Sequence, residues 1–181
     1  MTQADYADSV TGSERDFLRL LARADLFWSF GSEEPDYHQV LRASVEAGRI
    51  RSLDSKSTLI TERYFLGGPR SFRGFAYRGL GPHSGRTPVG GNGMVRGSFE
   101  YSLPLYWREL RGVALFDWGE LAPNFSKLST GRFRTAVGGG LRVRLHLVGQ
   151  PLPANFYWVE AVGKEREDRE RLFLFSLGYT F

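Results

Sequence analysis

Four stretches of the chain alternate between apolar and polar positions, and that two-residue period predicts strands. In His38 to Arg51, Leu41, Ala43, Val45 and Ala47 fall on one side and Arg42, Ser44, Glu46 and Gly48 on the other. Gly97 to Tyr106 sets Phe99, Tyr101, Leu103 and Leu105 against Ser98, Glu100 and Ser102. Within Arg134 to Leu147, Leu141, Val143, Leu145 and Leu147 oppose Arg142, Arg144 and His146. The final RLFLFSLGYTF puts Phe173, Phe175, Leu177, Tyr179 and Phe181 on one face. Arg15 to Phe30 reads two ways. Leu18, Leu20, Ala22, Ala24, Leu26, Trp28 and Phe30 alternate as in a long strand, whereas Ser13 followed by Asp16 could cap a helix. The unbroken alternation favours the strand. Apolar runs around Leu115 to Trp118 and Phe156 to Val162 supply two more.

Turn-forming clusters separate these runs: GSEEPD at 31–36, APNFSKLSTG at 122–131, GQPLPAN at 149–155 and KEREDRE at 164–170. Seven strands are expected near 15–30, 38–51, 92–106, 110–121, 134–148, 155–164 and 171–181, after a flexible segment over 1–14. At about ten residues or more, they exceed ordinary soluble strands and suit strands tilted across a bilayer. Periodicity leaves two all-β architectures open. A soluble sandwich buries the leucine faces. A barrel in lipid turns them outward and keeps Arg142, Arg144, Glu46 and Glu100 in a polar lumen. Trp28, Phe30, Tyr101, Tyr106, Trp107, Tyr179 and Phe181 lie at or near strand ends, as interfacial aromatics do.

Composition narrows the chemistry. The chain has 181 residues, no cysteine and three histidines without ligand-like spacing, so no metal site or cofactor is expected. The formal charge of +4 comes from arginines scattered along the chain rather than from a block, which does not favour nucleic acid. The polar N-terminus has no apolar core of a signal peptide, and no apolar run is long enough for a membrane helix. VGGNG and VGGGLR lack a P-loop lysine, and Gly97-Ser98 lacks the spacing of a hydrolase nucleophile. An enzyme is not expected.

The segment YFLGGPRSFRGFAYRGLGP, from Tyr64 to Pro82, fits neither a linker nor a strand. It mixes glycines and prolines with aromatic anchors, and Arg73 stands between Phe72 and Phe75. Together with Glu62 and Arg63 it resembles the loop of the BamA-type outer-membrane assembly barrels, bacterial and mitochondrial, with their E-R-F-Y-x-G-G, V-R-G-F and I-G-P motifs. Phe72 replaces the usual valine, and LGP stands at Leu80 to Pro82. ALFDWGEL (114–121) is similar to the family's F-x-D-x-G strand, VGGGLRVRL (137–145) to its G-x-G-x-R strand, and FLFSLGYTF to the bacterial terminal insertion signal.

The resemblance implies an antiparallel up-and-down transmembrane β-barrel, of which residues 15–181 form the C-terminal portion with a long loop over about 52–91. That loop would fold into the lumen, with Arg73 of the Phe72-Arg73-Gly74-Phe75 motif meeting Asp117 of the Asp117–Gly119 stretch. Gly67, Gly68 and Gly74 would permit the tight reversal. The family's barrel has sixteen strands and periplasmic docking domains, so the chain is expected to be a fragment completed by a longer protein or by partner chains. The implied role is folding and inserting outer-membrane proteins, with lipid and unfolded clients as partners and 171–181 as a templating edge. A bacterial outer membrane is preferred over a mitochondrial one on the terminal aromatic. A structural or porin-like barrel, or a translocation pore of two-partner secretion, are the alternatives.

Overall fold

The computed structural model describes residues 2–7, 16–31, 34, 37–53, 57–147 and 150–178. Each long alternating run forms a strand. These are β1 (Thr2–Ala7), β2 (Phe17–Gly31), β3 (His38–Ser52), β6 (Gly93–Pro104), β7 (Leu110–Ala122), β8 (Arg134–Leu147), β9 (Gln150–Gly163) and β10 (Phe173–Leu177). The tiny β4 (His83–Ser84) and β5 (Thr87–Pro88) make a separate hairpin within the long loop. The eight longer strands form one antiparallel sheet in the order β1-β2-β3-β6-β7-β8-β9-β10. Every neighbour pair is consecutive around the meander, and β1 and β10 are the edges among the described residues. By sequence, the connections at 32–37, 105–109 and 148–149 are short, and those at 53–92, 123–133 and 164–172 are longer. That asymmetry is characteristic of outer-membrane barrels.

One sequence reading is settled as preferred and two change. The 15-residue β2 pairs along its length with β3, which removes the helix alternative for Arg15 to Phe30. Thr2–Ala7, expected within a flexible segment, is a strand paired with Ala22 back to Phe17, adding an eighth strand. TQADYA carries almost no apolar alternation, so the sequence gives little sign of this strand. β9 begins at Gln150 rather than near 155, because Pro151 and Pro153 read as turn residues. Both prolines lie where β9 pairs with β8 alone; β10 joins only from Ala154 onward. A missing N–H is tolerated at such an edge. Tyr179 and Phe181 of the expected terminal strand lie outside the described residues.

The two faces decide between sandwich and barrel. Val45, Phe99, Val137 and Trp158 are 46–52% exposed, whereas Glu100 and Asp117 on the opposite face are 6% and 3% exposed. Cross-strand register groups the exposed side chains: Phe99 faces Phe116, Phe116 faces Val137, and Trp158 faces Phe173. The polar inner face is covered by the long loop. Leu66, Phe72, Phe75 and Leu80 from that loop pack on Met94, Val113, Leu115, Leu121, Tyr157, Val159 and Leu174 of the wall. A sheet that hides its charges and shows its leucines is inverted relative to a water-soluble protein and matches an all-β outer-membrane barrel wall.

Candidate functional site: an arginine of the loop in the wall's carboxylates

The inward turn of residues 66–80 uses glycines whose conformation or close contacts leave no room for a side chain. Gly67 has φ +114°, and a Cβ there would stand 2.1 Å from the Ala76 carbonyl oxygen. Gly74, at φ +86°, lies against the wall, where a Cβ would meet that of Ala136 at 2.9 Å. Gly68 closes the turn between them, donating to Phe75 O at 3.0 Å. Phe72 and Phe75 meet edge to face at 5.2 Å, and both are buried. They anchor the loop on either side of Arg73.

Arg73 is thereby delivered into a charged socket. Its Nε donates to Asp117 Oδ2 at 2.9 Å and its Nη2 to Oδ1 at 2.7 Å, a two-pronged pair; its backbone N–H donates to Oδ2 at 2.9 Å. Nη1 donates to Glu100 Oε2 at 2.6 Å, and Nη2 also reaches Ser98 Oγ at 2.7 Å. The guanidinium lies 5.3 Å from the centroid of the Tyr157 ring. Burial works against the charged guanidinium, but Asp117 and Glu100 more than offset this and hold its pKa above the ordinary arginine value.

The socket extends beyond the pair that the resemblance implied. Glu100 Oε1 accepts from Arg142 Nη2 at 2.7 Å, and Arg142 Nε donates to Asn155 Oδ1 at 2.7 Å. Two arginines thus alternate with two carboxylates across β6, β7 and β8. In sequence, Glu100 and Arg142 read only as lining a polar lumen, and no motif points to Asn155 or Tyr157. Strand parity turned Ser98, Glu100 and Arg142 inward, but their convergence on residue 73 depends on where the loop lands. Gly119 lies two residues along β7 from Asp117, opposite Arg96 and Arg134. Arg96 supports the loop separately, donating to the Ser71 carbonyl and pairing with Glu46 at 2.6 Å.

Arg63, also part of the resemblance, ties the loop's ends together. It donates to Thr58 O at 2.9 and 3.1 Å and to Val89 O at 3.1 Å. Glu62 pairs with Arg19 of β2 at 3.3 Å. Toward the short-turn end lies a cavity of about 690 Å³, lined in part by Arg23, Asp25, Arg42, Glu100, Arg111 and Arg142. Among the described residues, no cluster of three or more His, Asp or Glu could hold a metal ion.

The sequence profile of the Omp85 superfamily domain matches residues 1–181. The chain belongs to the Omp85 superfamily. Among Omp85-type relatives, the sorting and assembly machinery component 50 homolog of Homo sapiens is 33% identical over 85 residues, 47% of this chain and 17% of the relative. The Xenopus tropicalis homolog is 34% identical over 76 residues, 42% and 16% of the respective chains. A SAM50-like protein of Schizosaccharomyces pombe is 35% identical over 65 residues, 36% and 14%. The crystal structure of BamA from Haemophilus ducreyi lacking POTRA domains 1–3 superposes with a TM-score of 0.76 at 20% identity, covering 92% of this chain and 36% of that truncated chain. This Omp85 chain therefore has the fold of part of a BamA barrel, and the stretches it matches are 14–17% of those relatives' length.

Proposed function

We propose that this chain forms the C-terminal wall of an Omp85 barrel that folds and inserts β-barrel proteins into a bacterial outer membrane. The remaining strands and docking domains come from a longer polypeptide or from partner chains, and lipid covers the apolar face. The loop acts as a plug latched by Arg73 on Asp117 and Glu100. β10 presents an edge onto which an incoming strand adds by backbone pairing. The mechanism is non-covalent: the wall supplies hydrogen-bonding groups that a client strand cannot find in lipid.

The observation that carries this reading is the family match along residues 1–181. The buried Arg73 pair supports the latch, since such a pair holds a loop only when both partners are delivered to one place. The test is Arg73→Ala in cells that depend on the full protein, followed by quantifying folded outer-membrane proteins. A several-fold fall, with the variant itself still in the membrane, is expected. Unchanged levels would leave a structural or porin-like barrel as the better reading, and fractionation outside a bacterial outer membrane would overturn the placement.

A further inference from the structure

The connection between β9 and β10 reads in sequence as a charged turn, yet part of it is docked on the R-G-F loop. Ala76 N donates to Arg169 O at 2.8 Å, Arg169 N to Gly79 O at 2.8 Å and Arg171 N to Gly74 O at 3.0 Å. Phe75 and Glu170 form an antiparallel bridge. Asp168 reinforces it: its fully buried carboxylate accepts from Gly81 N at 3.2 Å and from Arg134 Nε at 2.9 Å. Leu172 then returns to the wall by accepting from Val159 N at 2.9 Å, and β10 follows directly.

The far end of β10 is also held by the loop and by the socket. Arg70, three residues before the latch arginine, donates from Nη2 to Leu177 O at 3.3 Å. Asn155, 1% exposed, donates to Ser176 Oγ at 3.2 Å and Gly178 O at 3.4 Å while accepting from Arg142. A continuous series of bonds therefore runs from Asp117 through Arg73, Glu100, Arg142 and Asn155 to the end of the terminal strand. The loop grips the other end through residues 169–171.

We infer that Arg70, Asn155 and Asp168 are positioning residues for the terminal strand: through them the R-G-F loop clamps both ends of β10, so that seating of the loop and fastening of the edge change together. A strand gripped only by β9 can fray from either end; one gripped at both ends opens as a unit, and only when the loop shifts. The value of this for assembly rests on the proposed function, but the coupling itself is a property of this chain.

Hydrogen exchange of the 181-residue chain in detergent micelles tests it. Arg70→Ala, Asn155→Ala and Arg73→Ala should each speed exchange of the β10 amides about three- to tenfold, with β3 unchanged. Arg70→Lys, which keeps a donor for the Leu177 carbonyl, should recover much of the protection. Arg78→Ala alters an exposed loop arginine packed over Phe65 and Tyr77, and should leave β10 alone. Asp168→Ala carries the larger risk of misfolding and is read only alongside these. β10 exchange within twofold of the unaltered chain in both Arg70→Ala and Arg73→Ala would overturn the clamp. Loosened β10 with unchanged client levels would instead sink the assembly role and leave the clamp standing.

Discussion

Asp117 and Glu100 take opposite sides of one guanidinium, and both are buried. Removing a single partner from such a group strands the remaining charge in a dry place, at a cost of about 3–5 kcal/mol. Asp117→Ala should lower unfolding stability in detergent by that amount, measured by urea titration; a loss below about 1 kcal/mol would mean the pair barely offsets its own desolvation. Sequence reading reached Arg73 and Asp117 only through the family resemblance. Forty-four positions separate them, and no local pattern reports a contact at that range. Parity did place Ser98 and Glu100 on the inner face, and could have flagged them as acceptors for whichever cation the loop delivered.

At the scale of elements, alternation located the long strands because each has one face in contact with protein and one without. It failed where a strand carries little apolar alternation or carries turn-forming residues. Thr2–Ala7 has no apolar face, and Pro151 and Pro153 imitate a turn although each sits opposite a β8 residue in the ladder. KEREDRE failed for a different reason: its charges are mostly exposed, and its docking uses main-chain groups plus the one buried carboxylate of Asp168. The loop is held by apolar contacts as much as by charge. Phe75 is fully buried against the wall. Phe75→Ala should cost about 3–5 kcal/mol locally and loosen the backbone around the loop arginines. Trypsin should then cut after Arg70, Arg73 or Arg78 several-fold faster than in the unaltered protein, as read by mass spectrometry of the fragments. Unchanged cleavage would mean that the ionic socket alone seats the loop.

For the whole molecule, inversion of the two faces gives a test that a soluble protein would pass differently. Val45 sits at the middle of β3 with its side chain 46% exposed. On a water-facing surface, Val45→Arg would change stability by no more than about 0.5 kcal/mol. At the middle of a bilayer, the same change should cost about 2–4 kcal/mol, measured by folding into phospholipid vesicles. Equal folding of both proteins would contradict a lipid-facing assignment for this side.

The seated arginine also limits what can unfasten the loop. Its charge persists in alkali, because the guanidinium keeps its proton beyond the range proteins meet. Dissolved ions screen charges that water can reach, and Arg73 and Asp117 are 8% and 3% exposed. Brine and base therefore leave the fastener closed, and opening calls for force along the chain or a rival carboxylate brought into the socket.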